Sequence, residues 1–232
     1  MAQLSSSSDQ RHSAWFVVVV AVFITCLITA NIIAVKLVSF GPLVLPAGTI
    51  IFPISYIFGD VLTEVYGYRQ ARRVIWLGFG CNLLTVAAIW VAGLLPSASF
   101  WTGQAAYEQI LGFTPRLLLA SFAAYLVGEF ANSFVLAKMK ILTQGRWLWT
   151  RTISSTLVGE GLDSLVFVTI AFTGTIPTAA LPSVIVTQWL VKCAYEIVAT
   201  PLTYVVVNFL KRKEGLDIYD YDTRFNPLRV NE

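Results

Sequence analysis

FPISYIFGDVLTEVYGYRQARRVIWLGF (Phe52–Phe79) is the stretch on which the fold turns. An apolar run closes near Tyr66, three arginines (Arg69, Arg72 and Arg73) follow, and a second apolar run opens at Val74. Two such runs meeting at a basic loop describe a chain that crosses a bilayer, turns at its surface and crosses back. Asp60 and Glu64, inside the first run, are four residues apart and share a helical face.

The same pattern extends outward. Runs near the roughly 20 residues that span a bilayer lie at Trp15–Val38, Ala47–Tyr66, Val74–Leu95, Leu117–Ala137, Ile153–Phe172 and Leu181–Leu210. The last is long enough to tilt or kink and contains Pro182 and Pro201. The first is too long for a cleavable leader, and no small-x-small cleavage site precedes the polar segment that would have to follow it. The composition agrees, with 12% charged and 56% hydrophobic residues in 232 and a mean hydropathy of +0.71. Soluble domains carry about 25% charged residues. So apolar a chain does not stay disordered in water, and a net charge of +3 is too small to suggest a nucleic-acid partner. The expected fold is an all-α membrane protein, one polytopic domain over 1–232, with a six-helix bundle at 15–210 and tails at 1–14 and 211–232.

Basic residues set the expected orientation. Thirteen fall on one side, in the N-terminal tail (Arg11), the second loop, the fourth loop (Lys138, Lys140, Arg146, Arg151) and the C-terminal tail (Lys211, Arg212, Lys213, Arg224, Arg229). The other side has Arg116 alone, which by the positive-inside rule makes both termini cytoplasmic. Glu214–Asp222 reads as an acidic patch on a solvated tail.

Charges at membrane depth are costly and point to function. The fourth run holds Glu129 and Asn132, the fifth Glu160 and Asp163, and the sixth Gln188, Lys192, Tyr195 and Glu196 as a polar stripe. Asn31 lies in the outer half of the first, and Lys36 at its end, where it reaches the interface. Glu64 lies near Arg69, Arg72 and Arg73, where an interfacial ion pair and a functional role are equally good readings. Six acids face two bases within the runs, so four stay uncompensated even if both lysines are paired. A water-filled cavity that accepts hydrogen-bond donors or a cation resolves that imbalance, and it suits a small nitrogen-rich solute. Pro53, Gly59, Gly159 and Gly161 interrupt helices beside these acids, as at midplane transport sites. Asn31 with Lys36 echoes Asn132 with Lys138, which is either a three-plus-three repeat or coincidence.

Enzymatic readings find little support. The only histidine is His12 in the tail, which removes Ser-His triads and His-based metal sites, and no P-loop or GxGxxG occurs. IFGD (Ile57–Asp60) lacks the first glycine of the intramembrane aspartyl protease motif. No metal or cofactor is expected. Cys26, Cys81 and Cys193 read as small core residues.

NIIAVKLVSF (Asn31–Phe40) followed by the opening stretch, then GEFANSFVLAKMK (Gly128–Lys140), RTISSTLVGEGLDSLVF (Arg151–Phe167) and QWLVKCAYEIVATP (Gln188–Pro201), resembles the bacterial queuosine-precursor transporters of the vitamin-uptake-transporter family. The resemblance implies a multi-pass bacterial inner-membrane importer of 7-cyano- and 7-aminomethyl-7-deazaguanine, serving tRNA modification. Such a ligand would offer N–H donors to Asp60, Glu129, Glu160, Asp163 and Glu196, with Asn31, Asn132, Gln188 and Lys192 completing the lining and Tyr195 stacking on the ring. Relatives with a comparable six-helix fold include substrate-binding subunits of energy-coupling-factor transporters, which dock on an ATPase module through small residues of the first helix. Ala30 and Ala34 form such a pair here, but in the outer half, where internal packing explains them. A self-sufficient carrier is therefore preferred over a docking subunit or a scaffold whose polar stripe zips helices together. A homodimer, and coupling to a proton gradient, are left open.

Overall fold

The computed structural model describes residues 13–40, 43–112, 115–174, 177–221 and 223–228. Ser13 starts the first helix by accepting the Phe16 N–H on its side chain at 3.0 Å, which satisfies one of the donors a helix start leaves free. The helix that follows, α1 (Ala14–Ile33), is 20 residues long, or roughly 30 Å, the depth of a hydrocarbon core. Val19, Phe23, Leu27 and Ala30 are buried at helical spacing, while Val17 and Val18 face outward.

The first run was expected to stay helical to Val38, but the helix stops at Ile33. Leu37–Phe40 forms a strand (β1) paired antiparallel with Leu43–Pro46 (β2), in the register Leu37↔Pro46 to Phe40↔Leu43. β-branched and aromatic residues here favour extended backbone. Among the described residues the regular structure is helical apart from this hairpin and two short 3-10 turns.

The second and third runs were expected as separate helices joined by a basic loop. They form two helical halves that meet at Gly67, labelled together α2 (Phe52–Leu94), and the arginines sit in helix rather than in a loop. Its regularity breaks at Gly67, whose φ of 80° and ψ of 165° belong to a region open essentially to glycine alone. Phe23 shows how the two halves lie. A β-carbon on Gly59 would be 3.6 Å from its Cε2, and one on Gly78 would be 3.2 Å from its Cε1. In an unbroken helix those glycines would stand roughly 28 Å apart, so the halves lie side by side. With the two halves of α2 counted together, five helices among the described residues are long and apolar enough to cross a membrane.

Beyond α2, the short α3 (Gln104–Leu111) is held by the Tyr107 hydroxyl, which donates to the Ile89 carbonyl at 2.7 Å. Next come α4 (Pro115–Leu142), α5 (Leu148–Phe172) and α6 (Leu181–Glu214), each longer than the corresponding run by a turn or more. The Arg116 guanidinium donates to the Ile170 carbonyl at 2.6 Å and to that of Thr173, closing the end of α5. At the other end α6 finishes on Lys211, Arg212 and Lys213, which complement its carbonyl dipoles, and on a left-handed Gly215.

Much of the C-terminal segment is exposed, with Tyr221 at 65%, but it is anchored to α2, and Asp220 is 4% exposed. Asp220 Oδ2 accepts the Tyr68 N–H at 3.0 Å, a donor released by the Gly67 break. Arg72 Nη1 donates to the carbonyls of Arg224 (3.1 Å) and Asn226 (2.7 Å), and Trp76 Nε1 to that of Pro227 (2.8 Å).

Candidate functional site

The interior polar groups sit where backbones come closest. A β-carbon on Gly128 of α4 would lie 2.9 Å from Asp163 Cβ, and one on Gly159 of α5 would lie 2.7 Å from Asn132 Cβ. Each glycine thus makes room for the polar residue of the opposite helix, in a reciprocal pair. A β-carbon on Gly59 of α2 would lie 3.3 Å from Glu129 Oε2. The lost β-carbons let three helices bring their acids into one seam.

Within that seam the Asn132 amide donates to Asp60 Oδ1 at 2.7 Å. Lys192 of α6 pairs with Glu160 Oε2 at 2.9 Å and with Asp163. Glu129 lies within electrostatic range of Glu160, Asp163, Glu196 and Lys192, and Asp60 within range of Glu196 and Glu129. Sequence reasoning anticipated an open, water-filled cavity, but the seam is packed closed: Asp60, Glu129, Glu160 and Glu196 expose 1%, 3%, 2% and 2% of their surface. A cavity of about 300 Å³ lies elsewhere, between the end of α2 and α3, lined by Leu95, Phe100, Trp101, Gln104 and Tyr107.

Beside the Ser164 hydroxyl, the unsatisfied atoms of the seam are oxygens of acceptor groups. Asp60 Oδ2, Glu129 Oε2, Asn132 Oδ1, Gln188 Oε1 and Glu196 Oε1 are buried with no hydrogen-bond partner among the described residues. Such orphans are costly in a native protein. They are relieved by a ligand that brings N–H donors, or by a proton on a carboxyl.

Of the ten residues anticipated from sequence, the structure gathers Asp60, Glu129, Asn132, Glu160, Asp163, Lys192 and Glu196. Gln188 lies one turn before Lys192, half-buried. Asn31 is engaged elsewhere, its amide donating to Asn82 Oδ1 at 3.2 Å. Tyr195 is 40% exposed, on the outer surface of α6; the aromatic residue that reaches the acids is Tyr56, which hydrogen-bonds Glu160. Sequence reading passed over Tyr56, and a signal for the seam was also missed. Gly59-Asp60-x-x-Thr63, Gly128-Glu129-x-x-Asn132 and Gly159-Glu160-x-x-Asp163 repeat one pattern, glycine then acid then a polar residue a turn later. Thr63 takes part, bonding Ser133 at 3.1 Å.

Glu64 belongs to a second cluster, at the basic end of the bundle. Its carboxylate is fully buried and meets Arg151 and Lys211, each at 2.7 Å, with Lys140 at 3.8 Å. These ion pairs come from α4, α5 and α6 rather than from the arginines that follow it in sequence, of which Arg72 reaches the carbonyls of Arg224 and Asn226 instead. Asp217 ties Lys140 (2.6 Å) to Lys211 (2.9 Å). Burial works against ionisation of Asp217, but hydrogen bonds from those two lysines outweigh it and hold its carboxyl below the ordinary carboxylate range.

Large apolar side chains cover the outside, Leu84, Trp90 and Val198 at 71%, 66% and 79% exposure, while carboxylates are enclosed. That inversion of a soluble protein defines a multi-pass membrane protein with a polar interior. The family described as "Putative vitamin uptake transporter" matches residues 46–206, more than half of the chain, and the chain belongs to it; it is a transporter and not an enzyme. It is 31% identical over 189 residues to the "Probable queuosine precursor transporter" of Bacillus subtilis (strain 168), covering 81% of this chain and 82% of that one. Against the "Queuosine precursor transporter" of Escherichia coli (strain K12) identity is 29% over 167 residues, 72% of each. No solved structure matches the chain.

Proposed function

We propose that this protein is a self-sufficient carrier of queuosine precursors, the 7-cyano- and 7-aminomethyl-7-deazaguanines, across the inner membrane of a bacterium. The observation that carries the reading is the set of orphaned acceptors on Asp60, Glu129, Asn132 and Glu196, buried where three helices meet. A guanine-like edge presents adjacent N–H donors that such acceptors take up, and the names of the relatives give the solute class. Gly67 folds α2 back on itself, which supports six crossings, and the thirteen basic residues of one side support cytoplasmic termini. The Ala30–Ala34 pair is used internally: a β-carbon on Gly48 would lie 3.2 Å from Ala34 Cβ and 2.5 Å from the Ala30 carbonyl oxygen. That favours a carrier over a subunit docking on an ATPase module through this pair.

The test is uptake of each labelled deazaguanine into liposomes containing this protein alone. Uptake selects the carrier; binding without uptake selects a docking subunit; neither selects a scaffold. Glu160→Gln and Asp163→Asn are each expected to abolish uptake while the protein remains in the membrane, and normal uptake in both overturns the site.

A further inference from the structure

Lys192 and Glu196 stand one turn apart on the same face of α6. The lysine is committed sideways to Glu160 and Asp163 on α5, and Glu196 Oε1, in a residue 2% exposed, has no hydrogen-bond partner among the described residues. Glu160 and Glu196 are within electrostatic range of each other. A flexible four-carbon stem thus carries an ammonium between two carboxylate positions, one occupied and one orphaned.

We propose that Lys192 is a movable counter-ion that lets one site take both neutral and cationic ligands. With a neutral ligand, its ammonium stays on Glu160 and Asp163. With a ligand bearing a primary ammonium, that group takes Glu160 and Asp163, and Lys192 swings one turn along α6 to Glu196. No charge leaves the site: the acids Asp60, Glu129, Glu160, Asp163 and Glu196 face one cation, Lys192, before and two, Lys192 and the ligand's ammonium, after. Without Glu196, the displaced Lys192 would be buried unpaired beside the ligand's own ammonium, a like-charge contact in a poorly screened interior. Glu196 is on this account a positioning residue, acting on the ligand through Lys192. Tyr56, bonded to Glu160 from α2, holds that carboxylate in place during the exchange.

The inference rests on the acidic seam being the ligand site, and the experiment separates the two. Affinities of the 7-cyano (neutral) and 7-aminomethyl (cationic) deazaguanines are measured by calorimetry on the full-length protein in lipid nanodiscs, and the readout is their ratio. Glu196→Gln is expected to shift the ratio against the cationic ligand by at least about tenfold, because a buried unpaired ammonium is costly. Lys192→Met is expected to shift it the other way, since the ligand then has no internal competitor. Glu196→Asp, which keeps a landing carboxylate, restores the ratio toward wild type and covers the case in which Glu196→Gln does not fold. An unchanged ratio in Glu196→Gln, or in Lys192→Met should Glu196→Gln not fold, overturns the counter-ion while leaving the site standing. Failure of the wild type to bind either ligand overturns both.

Discussion

Arg151 holds Glu64 with two arms of its guanidinium, Nη2 2.7 Å from Oε1 and Nε 3.2 Å from Oε2, and neither side chain exposes more than 1% of its surface. The pair joins α2 to α5, while Lys140 and Lys211 bring α4 and α6 to the same carboxylate. One acid thus gathers four helices at the basic end, a turn along α2 from Asp60 in the seam.

Replacing that acid with an amide takes the carboxylate from Arg151, while Asp217 still holds Lys140 and Lys211. Breaking a buried ion pair from one side costs about 3–5 kcal/mol, so Glu64→Gln is expected to lower the melting temperature of the detergent-solubilised protein sharply. Adding Arg151→Met, which removes the buried cation that lost its carboxylate, should recover part of the loss. A double variant that melts below Glu64→Gln contradicts this.

Gly67→Ala probes the fold of α2. Its backbone lies in a region that costs other residues of order 1–3 kcal/mol, and the new methyl would stand 2.9 Å from Ile218 Cγ2 and 3.4 Å from both Asp220 carboxylate oxygens. The strain is therefore expected to loosen the C-terminal segment first. Limited trypsin digestion should cut at Arg224 faster in the variant than in wild type; equal rates would mean that the segment is held independently of Gly67.

Asp217 supplies a pH dependence whose sign is set by its partners. Its folded carboxyl titrates below the ordinary value because Lys140 and Lys211 outweigh its burial. The stabilisation it gives is therefore present above its unfolded value of about 3.9 and is lost as the pH falls from there through the lower folded value. With 45% of its side chain exposed, the effect is screened and modest. The difference in melting temperature between wild type and Asp217→Asn should hold steady from pH 7 to 5 and shrink below pH 4. A difference that grows on acidification would reverse the assignment.

The sequence made the bilayer and the acids legible because both are matters of composition along one chain. Asp60, Glu129, Glu160 and Asp163 were recognisable since carboxylates inside apolar runs have few innocent explanations. Partners were harder, because they depend on which faces meet. Glu64 lies five residues from Arg69 yet bonds Arg151, 87 positions away, because Gly67 redirects the chain between them. Tyr195 has the better sequence position for stacking, but the phase of α6 turns it outward, and Tyr56 arrives from another helix. Asp220 was misjudged for a similar reason: it looks solvated until the broken turn at Gly67 offers it a backbone donor.

The reciprocal glycines give the sharpest test of the seam. Gly159→Ala would drive a methyl to 2.7 Å from Asn132 Cβ and 3.0 Å from the Gly128 carbonyl oxygen, and overpacking of this kind costs about 1–3 kcal/mol. Because Asn132 is the residue that donates to Asp60, the push also disturbs the acceptors, and uptake should fall further than stability does. Gly128→Ala presses on Asp163 in the same way, from the other side. Both substitutions separate the same two helices, so once the first has opened the seam the second has less to displace, and their costs should be sub-additive. Melting temperatures and uptake of the two single variants and the double variant measure the coupling; strictly additive losses would show that α4 and α5 yield independently at the two glycines.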